Sequence, residues 1–340
     1  MANTVENLIT KIKSLPVKTQ RGISAIIGAT VADAATRPLH WVYKQPTLDA
    51  TISESTTPEF WPESKSPFYT LPLGATSNYN DVAVSSLTSL YENGGELNMK
   101  HLCETFKKDF GPGTIYEEAL TRRPTDRSKL PMEGHWLHKG VILFLENYAT
   151  RGEIKNLGDS THNESDGFCA ALPIIVKHAG SDDMWEQASK AAMLLNTNPK
   201  ILNMFEAGAL LISNHILGEE EAFSKVTNVV KDKLPDVYEL MVEVEEAKSM
   251  PFITTVAQFG KACYLPGSFQ GALLAMQQTS SFVDAVRLNI RAGGCNCSRS
   301  NLIGACYGAK YGIDGIPIDW LKKVKNIENT MEKAIQLLNA

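Results

Sequence analysis

The sequence predicts an all-α protein with a single core, and three observations support that prediction. Apolar residues recur at helical spacing along most of the 340 residues, 43% of which are hydrophobic. Alternation with a period of two, which indicates strands, is rare; residues 68–73 are the best candidate, and Pro72 weakens it. Small residues repeat at four-residue steps in two distant segments, which predicts two helices in close contact.

Seven segments carry the helical spacing, and start and stop signals agree with two of them. Asp182 and Asp183 precede the third segment, and Gly218 follows the fourth. In chain order the segments are residues 5–12, 136–148, 184–195, 201–217, 237–247, 271–278 and 283–290.

The two series of small residues predict the helices at the centre of the molecule. Glycine costs about 1 kcal/mol relative to alanine inside a helix, so its repetition on one face needs a close approach of backbones in compensation. Close packing alone explains this spacing, without any function. The series are Gly28, Ala32 and Thr36, and then Gly304, Gly308 and Gly312.

Three segments interrupt the helical pattern: residues 44–80, 111–131 and 151–166, which are rich in Pro, Ser, Thr, Gly or Asp. Loops of this length inside a domain are usually functional or mobile. No linker divides the chain, and the two central helices come from opposite ends of it. We therefore expect one domain over residues 1–340.

Composition excludes several classes of protein. The chain has 33 Lys and Arg against 38 Asp and Glu, a net charge of −5. Nucleic-acid-binding proteins usually carry an excess of basic residues, so we expect no nucleic-acid partner. No run of 18 apolar residues and no signal peptide occurs, so we expect a cytoplasmic protein without a membrane partner. The six cysteines stand at irregular spacings along the sequence, so we expect free thiols rather than disulfides. No obligatory small-molecule ligand is expected, and self-association at high concentration stays open.

Common catalytic motifs are absent from the sequence. It contains no G-x-S-x-G, no G-x-x-x-x-G-K-[ST], no G-x-G-x-x-G after a strand and no H-E-x-x-H. Common hydrolase and nucleotide-binding functions therefore lack support from these motifs.

The most distinctive segment covers residues 293–305, which read G-G-C-N-C-S-R-S-N-L-I-G-A. The pattern continues through Gly308, Gly312, Pro317 and Trp320. It resembles the C-terminal signature of the ADP-ribosylglycohydrolases, G-G-D-T-D-T followed by G-A-x-x-G-A-x-x-G-x-x-x-I-P-x-x-W. The register holds without a gap over the 28 residues from 293 to 320.

A second match supports the same resemblance. Residues 28–40, G-A-T-V-A-D-A-A-T-R-P-L-H, resemble the family's G-x-x-x-G-D-A-x-x-x-P-x-E. Weaker matches at residues 78–81, 167–173 and 195–199 follow in the family's order, so the resemblance covers residues 21–325. It implies a compact, single-domain orthogonal helical bundle.

The resemblance implies a cleft that binds two Mg²⁺ ions, which hold ADP-ribose and activate water. Such hard cations need oxygen ligands, mainly carboxylates. This sequence departs from the family at those positions: one carboxylate, Asp81, survives in the likeliest register, and a one-residue shift there stays open. We therefore expect the Mg²⁺ site to be lost, with no cofactor, no metal and no catalytic residue. The vestigial cleft would be formed by His40, Asn80, Asp81, Cys295, Cys297 and Ser298.

Two further interpretations of these residues stay open. Cys295 and Cys297 with His40 would suit Zn²⁺ or redox chemistry by ligand softness, although small buried thiols often only fill space in a core. Asp33 matches the family, and a structural role is equally compatible with the sequence. The other histidines show no ligand spacing, and His135 with His138 is interpreted as a pair on one helical face.

Within the family, the chain is most similar to the branch of box-jellyfish lens J-crystallins and selenoprotein J. They share the A-D-A-A-T-R-P-L-H-W type of segment and the C-S-R-S type of ending. This resemblance implies a structural eye-lens crystallin without catalysis, located in the cytoplasm of lens cells. The alternatives are a glycohydrolase with an altered metal site and an ADP-ribose-binding pseudoenzyme.

Overall fold

Helices make up most of the computed structural model, which describes residues 4–53, 55–117, 119, 127–151, 154 and 157–339. Those residues contain 17 α-helices and a single pair of two-residue strands. The predicted all-α class is therefore confirmed. None of the helices described is long and apolar enough to cross a membrane.

The helices are numbered here in chain order. The first nine are α1 (Val5–Lys13), α2 (Val17–Thr36), α3 (Gln45–Ile52), α4 (Asn78–Glu92), α5 (Met99–Phe110), α6 (Lys139–Arg151), α7 (Asp166–Lys177), α8 (Met184–Ala192) and α9 (Pro199–Leu217). The others are α10 (Ala222–Lys233), α11 (Pro235–Ala247), α12 (Phe252–Phe259), α13 (Gly267–Gln278), α14 (Phe282–Ala292), α15 (Asn296–Tyr311), α16 (Ile318–Leu321) and α17 (Ile327–Leu338).

Helices α2 and α15 lie antiparallel along each other at the centre. A Cβ atom on Gly28 would overlap the carbonyl oxygen of Gly304, and one on Gly304 would overlap that of Gly28. One turn further, Gly308 faces the carbonyl of Ser24 in the same way. The predicted close contact is confirmed. The prediction that Gly312 belongs to the helical series is wrong. Gly312 follows the last residue of α15 with φ +68°, a left-handed conformation that ends the helix.

Local signals fix several helix ends. The Thr4 side chain accepts a hydrogen bond from the Asn7 N–H at the start of α1, and Asn198 does the same for Lys200 at the start of α9. Gly218 follows α9 with φ +88°, which confirms the predicted stop.

The irregular segments contain more regular structure than the sequence predicts. The expected strand at residues 68–73 shrinks to β1 (Tyr69–Thr70), which pairs in parallel with β2 (Met132–Glu133). Helix α3 and the start of α4 lie inside the predicted loop 44–80, and α6 begins at Lys139, three residues later than predicted. The predicted loops 111–131 and 151–166 lie partly outside the described residues.

Most of the buried apolar residues belong to one continuous cluster that runs from Val5 to Leu337. The central α2 is buried along its whole length from Gly22 to Thr36, and α15 from Asn296 to Ala309. The other helices therefore surround this pair. The sequence motifs lie at the end of α2 and at the start of α15. The loops that follow α2 and precede α7 pack around these two helix ends.

Candidate functional site

Backbone hydrogen bonds join the end of α2 to the start of α15. A 3₁₀ turn, Arg37–Leu39, continues α2 and leads into His40. The Trp41 N–H donates to the Gly294 carbonyl at 2.8 Å, and the Gly294 N–H donates to the Val42 carbonyl at 2.9 Å. Gly294 has φ +65°, a conformation that costs glycine little. This turn brings the two sequence motifs together.

His40 and Cys295 are in direct contact in the middle of this junction. The His40 Nε2 atom lies 3.2 Å from the Cys295 Sγ, and its Nδ1 lies 2.8 Å from the Tyr69 hydroxyl. The Tyr79 hydroxyl lies 3.7 Å from the same sulfur. Trp41 stacks on the imidazole with 4.2 Å between ring centroids. The imidazole and the thiol thus occupy the place where the family resemblance implies carboxylates.

Burial and hydrogen bonds together decide the protonation of this group. It lowers the pKa of His40, despite the Cys295 sulfur, and raises that of Tyr69 well above its usual value. The Tyr69 hydroxyl therefore donates to Nδ1, which leaves the Nε2 proton for Cys295. Burial alone would raise the pKa of Cys295, but hydrogen bonds from Cys263 and His40 lower it well below its usual range. Ser298 donates to the Cys295 carbonyl at 2.8 Å and so bonds to its own helix turn.

Cys297 points away from Cys295. Its sulfur lies 3.5 Å from the Thr36 hydroxyl and 4.0 Å from the Asp33 carbonyl, and burial raises its pKa well above the usual value. The zinc or redox set of both thiols with His40, which the sequence left open, is not brought together. The second sulfur near Cys295 is instead that of Cys263, which sequence reasoning did not select.

Asp33 has a clear structural task. Its two carboxylate oxygens accept hydrogen bonds from the backbone N–H and the hydroxyl of Ser77, each at 2.6 Å. Burial raises the pKa of this carboxyl to about 7. Asp33 therefore ties α2 to the residue that precedes α4.

Asp81 lies apart from the His40–Cys295 contact. Its carboxylate accepts hydrogen bonds from the hydroxyls of Thr76 and Tyr116 and lines a separate open cavity of about 720 Å³. No hydrogen bond or ion pair joins it to either residue in the part of the chain that the structure describes.

Tyr79 faces Cys295 from the segment where the family has T-D-D. Asn80 is buried, and neither polar atom of its side chain has a hydrogen-bond partner among the described residues. This arrangement favours the shifted register that the sequence left open.

Sequence reasoning missed a buried cluster of acids and histidines beside this contact. Asp166, the first residue of α7, accepts from His138 Nδ1 at 2.7 Å and from His162 Nε2 at 2.8 Å. Despite burial, the two histidines lower the pKa of Asp166, and Asp166 raises theirs. Burial and the charge of Asp166 raise the pKa of Glu164 to about 7.

The predicted pairing of His135 with His138 on a helix is wrong. Both residues precede α6, and His138 is 3% exposed and bonded to Asp166. The sequence carries no clear signal for this cluster, because His162 lies in the loop before α7 and its distance of four residues from Asp166 is therefore not a helical spacing.

The residues at the motif positions do not fit two Mg²⁺ ions. An imidazole, thiols and a phenol replace the oxygen anions that a hard cation requires. Among the described residues, one group has ligand atoms within 4.8 Å of one another: His138, Glu164 and Asp166. Both Asp166 oxygens already accept histidine protons, so a cation there would have to displace at least one of them.

A cavity of about 220 Å³ adjoins the cluster. Glu164, His138 and Cys263 line it, together with several aromatic rings. Tyr264, which is 55% exposed, lies on its solvent side. His40 and Cys295 do not line this cavity, but Trp41, which stacks on His40, does.

Comparisons with known proteins identify the family and its relatives. The family model described as ADP-ribosylglycohydrolase matches residues 15–340. Crystallin J1A of Tripedalia cystophora is 32% identical over 322 residues, which are 93% of this chain and 96% of the relative. Crystallin J1B of the same animal is 30% identical over 321 residues, 94% and 96% of the two chains.

The fold has a solved counterpart. A structure titled "ADP-ribosylglycohydrolase-related protein complex" superposes with a TM-score of 0.65 at 20% identity, over 96% of this chain and 99% of that one. At this identity the likeness concerns the fold alone.

Proposed function

Because the chain belongs to the ADP-ribosylglycohydrolase family, we propose that it is a structural eye-lens crystallin that has lost the family's Mg²⁺ site and catalyses no reaction. The lens role is supported by the two relatives named crystallin, each matched over more than nine tenths of this chain. Under this proposal the protein resides in the cytoplasm of lens cells. Its net charge of −5 helps to keep it dissolved at high concentration.

The observation that supports the loss of catalysis is the contact between His40 Nε2 and Cys295 Sγ at 3.2 Å. Each group satisfies the other, and both are fully buried. Two Mg²⁺ ions would bring four positive charges into this enclosure, where the anionic groups are a soft thiolate, Glu164 and Asp166, and both oxygens of Asp166 already accept histidine protons. The interactions with these groups are too weak to offset the free energy of desolvating the ions.

Isothermal titration tests the silent site. We expect no saturable heat when Mg²⁺ and ADP-ribose are added together up to about 1 mM, a level that corresponds to roughly −4 kcal/mol. A metal-dependent member of the family, titrated in parallel, serves as the positive control. Saturable binding of Mg²⁺ would contradict the proposal, and binding of ADP-ribose without turnover would favour the pseudoenzyme.

One observation favours the altered-metal hydrolase as a second candidate: His138, Glu164 and Asp166 are close enough to share an ion. This candidate requires release of ADP-ribose from a modified protein in the presence of Mn²⁺ or Zn²⁺, and loss of that release in Asp166→Asn. Absence of release with every divalent ion tried leaves the crystallin proposal in place.

The lens role needs its own experiment. Quantitative mass spectrometry of dissected eye tissue from the source animal should rank this chain among the abundant lens proteins. Equal abundance in lens and non-lens tissue would contradict the crystallin role, whatever the titrations show.

A further inference from the structure

Three aromatic rings form a corner on the 220 Å³ cavity next to Glu164. The rings of Trp41 and Phe68 cross at 80° with centroids 5.2 Å apart, and those of Trp41 and Trp136 cross at 81° and 5.4 Å. Phe68 and Trp136 complete the corner at 70° and 5.8 Å. Tyr43 lines the same cavity. The faces of aromatic rings carry partial negative charge, which attracts cations.

Glu164 adds a carboxyl group to this cavity and forms no ion pair with any described residue. Burial and the charge of Asp166 raise its pKa to about 7, while His138 and His162 act in the opposite direction, so the group carries its negative charge above about pH 7. Its hydrogen-bond partner is the Tyr79 hydroxyl, at 3.5 Å. Lys139, on the rim, has its ammonium 3.5 Å from Asp159 instead. Over the described residues, no Lys, Arg or His nitrogen lies within 4.0 Å of a Glu164 oxygen. His138 also lines the cavity, but its Nδ1 is engaged by Asp166.

We propose that this cavity binds a small organic cation that carries a trimethylammonium group. Such a group donates no hydrogen bonds, is weakly hydrated and needs aromatic faces and one anion around it, which are the features present here. A primary ammonium or a metal ion would need several acceptors to replace its water. The volume of about 220 Å³ is below the usual range for drug-sized ligands and suits a small cation.

The opening of the cavity has a further aromatic residue. Tyr264 is 55% exposed and lines the cavity beside Cys263. Neither His40 nor Cys295 lines this cavity, and the inference goes beyond the proposed lens role and stands whether or not that role is correct.

The decisive comparison uses the unmodified protein and two probes of equal shape. Choline carries the trimethylammonium group, and 3,3-dimethylbutan-1-ol replaces it by a neutral tert-butyl group. By calorimetry we expect choline to bind with a Kd of about 1 mM or below, and the neutral alcohol at least about tenfold more weakly. Equal affinity for both probes, or no binding of choline at about 20 mM, would overturn the proposal.

Two substitutions locate the site. Glu164→Gln removes the charge with little change of shape and should weaken choline binding about tenfold or more, whereas the exposed Glu146→Gln on α6 should leave it unchanged. Trp136→Leu removes one ring and should weaken it severalfold, with Trp185→Leu on α8 as the matched control. Circular dichroism establishes that each variant is folded. Wild-type affinity in both folded site variants would overturn the assignment of the cavity, and a variant that fails to fold leaves the test to the two-probe comparison.

Discussion

At the scale of single residues, His40 and Cys295 form a buried contact in which the imidazole and the sulfur are hydrogen-bond partners. The imidazole donates to the sulfur from one nitrogen and accepts from Tyr69 at the other, so both of its polar atoms are satisfied. Trp41 and Tyr79 then exclude water from the pair. A carboxylate at either position would be an unpaired buried charge unless a cation accompanied it.

Thiol reactivity provides the first prediction. Cys263 is partly exposed on the 220 Å³ cavity, whereas the five other cysteines are buried. Brief treatment of the native protein with N-ethylmaleimide should therefore modify Cys263 first, because access limits the reaction even where a pKa is low. Peptide mass spectrometry gives the order. Modification of Cys295 while Cys263 is still free would show that thiolate character prevails over burial.

The second prediction concerns His215, in the last turn of α9. Burial lowers its pKa to about 4, and Lys310 and Arg21 act in the same direction. As the pH falls from 6.5, the unfolded chain takes up a proton that the folded one refuses, so the free energy of unfolding decreases until about pH 4. Between pH 7.5 and 4.5 this loss is about 2–3 kcal/mol.

Urea denaturation at both pH values measures this effect. The variant His215→Gln should lose less stability on acidification than the wild type, by about 2–3 kcal/mol. An identical loss in the two proteins would mean that the ring accepts its proton without unfolding.

The sequence predicted some of these residues and not others, for physical reasons. Motif spacing selected His40 and Cys295 because both lie at the ends of regular helices with a fixed register. Cys263 belongs to no motif, and only the packing of its loop brings it to Cys295. His138 and His162 meet on Asp166 because two loops converge there, which no linear spacing encodes.

At the scale of elements, the antiparallel pair α2 and α15 determines the geometry of the site. Where Gly28 faces Gly304 and Gly308, no side chain separates the two backbones, so the helices pack closely and the segments that carry His40 and Cys295 can meet. Repeated glycine is a strong signal, and this contact was predicted. Helix α4 was not predicted, because it buries Ser85, Ser86 and Ser89, which weaken the apolar spacing on its inner face.

The third prediction tests this crossing. In Gly304→Ala the new methyl group would overlap the Gly28 carbonyl, which belongs to backbone and cannot turn aside. We expect a loss of about 1–3 kcal/mol or more in the free energy of unfolding, as for other overpacked cores. Chemical denaturation followed by circular dichroism measures it.

Gly22→Ala, in α2, is the matched control. Its new methyl group would meet the side-chain ends of Leu338 and Val176 at 3.0 and 3.2 Å, and those can move. The better helix propensity of alanine should then offset the crowding, with a net change below about 1 kcal/mol. Equal losses in both variants would contradict the special role of the α2–α15 crossing.

At the scale of the whole molecule, the single apolar cluster joins helices from α1 to α17. No set of consecutive helices closes a core alone, because α2 needs α15. One domain over residues 1–340 therefore remains the prediction.

Calorimetry supplies the fourth prediction, which tests that organisation. A single core should unfold in one transition, with equal calorimetric and van't Hoff enthalpies. Addition of about 10 mM Mg²⁺ should leave the Tm unchanged within about 1 °C, because an ion stabilises a folded state only if it binds that state. Two resolved transitions would contradict the single domain, and a clear upward shift with Mg²⁺ would contradict the lost site.

The contact between His40 and Cys295 spans 255 residues of chain. A ribosome adds about 5–20 residues per second, so α2 leaves the exit tunnel roughly ten to fifty seconds before its partner exists. During that delay α2, which is buried from Gly22 to Thr36 in the folded protein, lacks the helix that packs along it. We therefore expect a chain that ends upstream of α15 to aggregate rather than to fold into a smaller protein.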